Sequence, residues 1–143
     1  MAKQMAHRIS RLLPEAEIEH IGSTSVPGLP AKPVVDLAVG VKAERLGEAT
    51  LILVQHEFDL EGDQPGHASL SWPNRLARSY VIHVLEAHGV PWDRRLRFRD
   101  ILRTDAVARA KYLAVKRQSA AVSLGWDDYT QSKTAIVHEI LGD

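Results

Sequence analysis

A chain of 143 residues has the usual size of one domain and can bury a core without disulfides or a structural metal. Lys and Arg together number 18, as do Asp and Glu, so the formal net charge is zero; this argues against a general nucleic-acid binder and leaves only a local basic patch open. There is no cysteine, which excludes disulfides, Cys-ligated zinc and thiol catalysis, and no apolar run approaches the roughly 18 residues of a membrane span.

The first residues, Met1 to Leu13, mix Lys3, His7, Arg8 and Arg11 with apolar residues and lack a signal-peptide stretch, so a cytoplasmic location with no membrane partner is expected. Met5, Ile9, Leu12 and Leu13 recur at helical spacing and predict an amphipathic helix, ended by Pro14. Glu17 to Ile21 alternates as a short strand. Gly22 to Pro33 reads as loop, because Gly22, Pro27, Gly28, Pro30 and Pro33 forbid regular structure over most of it. Val34 to Val41 is the clearest strand, with unlike faces: Val35, Leu37, Val39 and Val41 on one, Asp36, Ala38 and Gly40 with Val34 on the other. Small neighbours beside a carboxylate leave room for a ligand, so parity aims Asp36 at a cavity.

Ala43 to His56 is expected to be a helix, with Leu46, Ala49, Leu53 and Val54 as its apolar positions. Phe58 to Glu61 and His67 to Trp72 read as strands around a turn-rich connector, Gly62 to Gly66. Arg78 to Glu86 is another strand, after which Gly89 and Pro91 break the chain. From Asp93 the pattern is helical. Phe98, Ile101 and Leu102 form one stripe; Val107, Ala110, Leu113 and Ala114 form a second. Gly125 separates these from a last helix, Asp128 to Leu141, N-capped by Asp127 or Asp128. Strands before residue 90 and helices after it predict a single α+β domain over residues 1–143.

Several residues could carry chemistry. An Asp within an apolar strand is costly unless paired, hydrogen-bonded or metal-bound. Asp36 therefore reads either as a Mg²⁺ ligand beside substrate phosphates or as a partner of Lys32 or an arginine. In Gly22-Ser23-Thr24-Ser25, glycine allows close approach and the hydroxyls can bond phosphate, or the string is an ordinary polar turn; no Gly-Lys-Ser/Thr follows at the spacing of a Walker loop. Lys32 is either a phosphate ligand or a solvated loop lysine. His83 shares a strand face with Val81 and Leu85 and is either a core histidine or a metal ligand and proton carrier facing Asp36. His20, with the parity of Gly22, raises the same question. Lys133 lies on the apolar face of Tyr129, Ile136, Val137 and Ile140, and either snorkels to solvent or reaches an anion in the cleft. The run Arg94-Arg95-Leu96-Arg97-Phe98-Arg99, extended by Arg103, reads as an anion site or as a solvated helix face. The solvated reading is preferred for Arg94 and Arg95, while Arg99 is expected to be structural or site-facing.

The run His20 to Val39 resembles the signature of the GrpB family. Ile82-His83-Val84, Phe98 to Arg103, Tyr112 to Arg117 and Tyr129 to Thr134 are similar to further family segments, so the resemblance covers almost the whole chain. It implies a fold like that of the DNA polymerase β-like nucleotidyltransferases: a mixed sheet flanked by helices, with the last helix closing over the cleft. Those enzymes carry a Gly-Ser motif, two acids separated by one residue on the next strand, and a third acid on a later strand. Gly22 and Ser23 match the first element and Asp36 the first acid. Ala38 stands where the second acid belongs, and His83 stands where a third could be.

The implied function is transfer of a nucleotidyl group from a nucleoside triphosphate, or use of another phosphorylated small molecule, to an unknown acceptor. Gly22, Ser23, Ser25, Lys32 and Lys133 would take the phosphates. Asp36, with His83 or His20, would hold Mg²⁺ or Mn²⁺, and a histidine could take the acceptor's proton. Ala38 keeps two other readings open: a nucleotide- or phosphate-binding module without transfer chemistry, and a different metal-dependent reaction that forms an amide or hydrolyses a bond.

Overall fold

The structure is a computed structural model that describes residues 1–29, 33–121 and 135–142. Its elements are α1 (Ala2–Leu12), β1 (Glu17–Ile21), β2 (Val35–Val41), α2 (Leu46–Gln55), β3 (Asp59–Gln64), β4 (His67–Trp72), β5 (Tyr80–Glu86), α3 (Val90–Thr104) and α4 (Ala106–Ala121). Short 3₁₀ turns cover Ser23–Ser25 and Ala43–Arg45, and residues 135–141 are helical. The strands form one mixed sheet in the order β1-β2-β5-β4-β3, in which only β2 and β5 run parallel. This is the expected α+β class.

One sheet face carries the larger core. Leu37, Val39, Ile82, Val84 and Leu70 alternate inward and meet Met5 and Ile9 of α1 and Ala49 and Leu53 of α2. Helix α1 docks through residues one turn apart, and Pro14 follows its end. Its Arg8 guanidinium lies over the Trp72 ring at 4.0 Å, a cation–π contact that ties the helix to β4. On α2, Thr50 is buried and Val54 is exposed, so the packed stripe is narrower than its apolar residues suggest.

Two boundaries and one buried stripe differ from the sequence pattern. Strand β3 continues through Gly62 and Asp63 to Gln64, with a bulge between Leu60 and Gly62, so only Pro65-Gly66 turns the hairpin. Gly66 takes φ +79° there. Pro91 does not break the chain but sits in the first turn of α3, where a missing amide proton costs no helical bond. Among the described side chains of α4 the buried positions are Ala108 and Tyr112, whereas Val107, Ala110 and Ala114 are exposed. The cause is Asp105: its carboxylate accepts from the amides of Val107 and Ala108 at 2.9 and 3.1 Å. That cap starts a new helix and rotates its apolar stripe relative to α3.

The second sheet face bears Asp36, Ala38 and Gly40 of β2, Val81, His83 and Leu85 of β5, and His67, Ser69 and Ser71 of β4. Helix α3 covers part of it, with Trp92 buried against Ala38, Leu85 and Ile21. A further cluster joins Val26 and Leu29, beyond the 3₁₀ turn, to Leu102, Ala108, Tyr112 and Ile136. Val26 and Leu29 are thereby fixed by the helical part of the chain.

Candidate functional site

The site is built where β1 ends beside the start of β2. Ile21 pairs with Asp36 in register, and the chain then turns at Gly22 with φ +74° and ψ −177°. An ideal Cβ at Gly22 would lie 2.5 Å from Oδ2 of Asp36. Only glycine permits this backbone and this approach, so the turn is pressed against the carboxylate. In the parallel pair, Ala38 stands beside His83. The small alanine lets the imidazole lean toward Asp36, and Nε2 of His83 is 3.3 Å from Oδ1. Both side chains keep access to solvent, at 31% for Asp36 and 19% for His83.

A second histidine continues the chain. Nε2 of His67 is 3.1 Å from Nδ1 of His83, with the rings stacked at 5.4 Å. An ionised carboxylate can only accept. With Asp36 charged, His83 therefore donates from Nε2–H, and its Nδ1 accepts from His67 Nε2–H; this assignment follows from the bonding pattern. Burial, then the charge of Arg95 and the proximity of His83, push the His67 pKa down to about 4. His67 is accordingly neutral at neutral pH.

The Gly22–Ser25 turn is tied down on both sides. Ser25 is buried, and its hydroxyl donates to the Gly22 carbonyl at 2.5 Å. Arg103 Nε donates to the Ser25 carbonyl at 2.9 Å. Ser23 Oγ accepts from Lys116 Nζ at 3.0 Å, which brings a lysine of α4 to the turn. His20 is not brought to Asp36 and His83: register sets it opposite Leu37, on the other sheet face, and its Nε2 lies 2.8 Å from Thr24 Oγ1. Burial and then Arg103 lower its pKa, with Asp36 pulling the other way. Arg99, expected to be structural or site-facing, is buried and donates to Glu19 at 2.8 Å, to Asp100 at 2.9 Å and to the His20 carbonyl at 3.3 Å. Lys32 and Lys133 lie outside the described residues.

The room inferred beside Asp36 is partly filled. Ala38 is fully buried in the cluster with Ile21, Leu85 and Trp92. A Cβ at Gly40 would meet Trp92 Cζ3 at 2.7 Å. Ala38 and Gly40 are thus the bed of an aromatic ring, and the accessible part of this face consists of Asp36, Val81, His83, His67 and Ser69. Among the described residues no group of three His, Cys, Asp or Glu could hold a metal ion. A cavity of about 370 Å³ lies elsewhere, between the end of α1 and α2, lined by Leu13, Ala16, Val41, Arg45 and Ile52 among others; Asp36, His83 and His67 do not line it.

Sequence reasoning missed His67 and Lys116. The alternation of His67, Ser69 and Ser71 with Ala68, Leu70 and Trp72 was the available signal for the first. Lys116 had only its place in the family-like segment Tyr112 to Arg117.

Comparison with known proteins agrees with this architecture. The family model described as GrpB protein matches residues 1–143. A UPF0157 protein of Deinococcus radiodurans is 44% identical over 135 residues, which is 94% of this chain and 70% of that protein. The crystal structure of the conserved protein GrpB from Enterococcus faecalis superposes with a TM-score of 0.79 at 26% identity, covering 99% of this chain and 90% of that one. Cid1, an RNA terminal uridylyl transferase, matches with a TM-score of 0.55 at 18% identity, over 83% of this chain and 37% of Cid1. That last likeness is one of fold: a nucleotidyltransferase-like sheet with flanking helices. Among the described residues no helix is long and apolar enough to cross a membrane.

Proposed function

We propose that this chain, which belongs to the GrpB family, binds a nucleoside triphosphate with one divalent cation at Gly22, Asp36 and His83 and transfers its nucleotidyl group to an acceptor. The observation that carries the reading is the contact of a glycine turn with a half-buried carboxylate that also faces an imidazole nitrogen. Phosphates against Gly22 and Ser23 would meet backbone at close range, with Lys116 beside Ser23 to offset their charge. Ser25 instead fixes the turn from beneath; Lys32 and Lys133 keep the phosphate-binding role proposed for them from the sequence.

The donor set fits a single cation completed by substrate phosphates, since such ions are commonly held by one or two carboxylates. The imidazole shifts the preference from Mg²⁺ toward Mn²⁺. A cation shared by Asp36 and His83 Nε2 would oblige His83 to carry its proton on Nδ1 and to donate it to His67. His67 can accept, because burial and Arg95 keep it unprotonated. When bound, the ion would neutralise charge at the phosphates. In the transfer, an acceptor oxygen or nitrogen bonds to the α-phosphorus, the bond to the bridging oxygen breaks, and pyrophosphate leaves with the electron pair. His83 would take the acceptor's proton at Nε2 when it is not a ligand and carries its own proton on Nδ1, the form that donates to His67 instead of to Asp36.

The test is thermal stabilisation by ATP with Mn²⁺. Wild-type protein should be stabilised, and Asp36→Ala should lose the shift; an equal shift in the variant would sink the assignment. The burial of Ala38 beneath Trp92 favours a second reading, a binding module without transfer. Incubation with labelled nucleotides, Mn²⁺ and a metabolite pool separates the two: metal-dependent transfer supports the enzyme, and binding without turnover supports the module.

A further inference from the structure

The first acidic residue of the chain is Glu15, and it is held by Arg45 at 2.8 Å. Everything before it is neutral or basic. Helix α1 presents Lys3, His7, Arg8 and Arg11, all exposed. Among the described residues none of these four side chains forms an ion pair. Together with Gln4 they line a shallow groove of about 610 Å³, built by α1 alone. The whole chain has a formal net charge of zero, so this uncompensated positive charge is a local feature of the groove.

The groove is held firmly on the fold. Met5, Ile9 and Leu13 fasten α1 to the core face of the sheet, and Tyr80 Oη donates to the Met1 carbonyl at 3.0 Å. The Arg8 guanidinium lies over the Trp72 ring at 4.0 Å, a contact that orients its fork without neutralising it. Lys3, His7 and Arg11 follow one another at four-residue steps, about 6 Å apart along the helix. Neighbouring side chains can thus meet neighbouring anionic groups of an extended polymer. That polymer is polar throughout, because the groove lining contains no apolar side chain and the apolar stripe of α1 is already buried. A bilayer surface would gain charge contacts here but no inserted apolar face. Cations on one helix follow one strand; they do not flank a duplex on two sides.

We infer that the α1 groove binds the phosphate backbone of a single-stranded nucleic acid, with Lys3, Arg8 and Arg11 on phosphates and Gln4 and His7 completing the hydrogen bonds. Contacts of this kind position a strand and read no sequence. Three cations release the counter-ions of three phosphates, so the logarithm of the binding constant should fall against that of salt with a slope of about −2. The inference does not rest on the nucleotidyl-transfer reading, since α1 packs on the sheet face opposite Asp36.

The experiment measures fluorescence anisotropy of a labelled oligothymidylate titrated with the full chain at a series of salt concentrations. Saturable binding is expected, weakened about fifteenfold by a fourfold rise in salt. Lys3→Gln with Arg11→Gln should bind about tenfold or more weakly at low salt, with a slope near −0.7. Lys3→Arg with Arg11→Lys keeps both charges and should keep the slope. Lys111→Gln with Arg117→Gln removes the same charge from exposed positions on α4 and should bind as the wild type does. No saturable binding, or wild-type affinity in the Lys3/Arg11 glutamine variant, overturns the inference. An equal loss in the α4 variant overturns it as well, because the attraction would then belong to the whole chain. Three competitors test the class of partner at one salt concentration: duplex DNA, polyglutamate and phosphatidylserine vesicles. Each should displace the oligothymidylate less well, per charge, than unlabelled oligothymidylate does; a better competitor among them overturns the assignment to a single strand.

Discussion

Gly22→Ala is the sharpest probe of how the turn and the carboxylate depend on each other. Gly22 has φ +74° and ψ −177°, a region that only glycine occupies readily, and a side chain there costs about 1–3 kcal/mol in backbone strain. The new Cβ would also lie 2.5 Å from Asp36 Oδ2, 3.0 Å from its Cβ and 3.1 Å from its Cγ. The carboxylate can swing away, but only by giving up the contact of Oδ1 with His83 at 3.3 Å. That adds about 1 kcal/mol, the net worth of one hydrogen bond. The expected destabilisation is about 2–4 kcal/mol in urea unfolding with an unchanged m-value, or a fall in Tm of about 10 °C for a chain of this size. A double-mutant cycle separates the two parts. Asp36→Ala removes Oδ2 and Cγ but leaves Cβ, so in that background Gly22→Ala should cost about 1 kcal/mol less. A loss below about 0.5 kcal/mol in the wild-type background, within the range of an ordinary surface substitution, refutes the strain. Equal losses in the two backgrounds refute the close approach.

Two further perturbations test the frame around the site. Ala38→Asp restores the missing acid in sequence but not in chemistry: the position is fully buried under Trp92, and an uncompensated charge there should cost about 3 kcal/mol or more. The expected result in urea unfolding with Mn²⁺ is lower stability without tighter metal binding; a stable variant that binds Mn²⁺ more tightly refutes it. Asp59 accepts side-chain and backbone hydrogen bonds from Arg75, which hold its pKa down from 3.8 to about 2. A depressed carboxylate stabilises the fold above its unfolded pKa and ceases to do so as pH falls through the folded one. The Tm advantage of wild type over Asp59→Asn should therefore be full above about pH 4 and vanish toward pH 2; a pH-independent difference refutes it.

The sheet was legible because its strands alternate. Val35, Leu37, Val39 and Val41 could face only a core, which put Asp36 on the opposite side without any structure. Parity also put His83 on one face with Val81 and Leu85, but whether that face is the one bearing Asp36 was not legible; the parallel register of β2 and β5 decides it. What alternation does not encode is the layer above the face. Ala38 and Gly40 read equally as the floor of a ligand pocket or as the bed of an aromatic ring. The decision lies with Trp92, placed by a helix that begins just beyond the next parallel strand. The arginines of α3 were obscured for a related reason. Arg95, Arg97 and Arg99 look alike in sequence, and only the packing of α3 sets Arg99 on Glu19 while Arg97 meets the Leu141 carbonyl.

The loss of room at Ala38 also bears on what one carboxylate can do. In a site with two acids on one strand, the second carboxylate helps to hold a second cation. Here that volume belongs to the hydrophobic packing of α3, so no conservative exchange at Ala38 recovers it without unseating Trp92. The polar capacity of the face has moved sideways instead, across β5 to β4, where His83 and His67 share a hydrogen bond. Imidazoles add no negative charge, so on the proposed reading this face would hold no more than one divalent cation. One metal at Asp36, completed by the phosphates of a nucleotide, would suit that single carboxylate; two metals gathered around it would not.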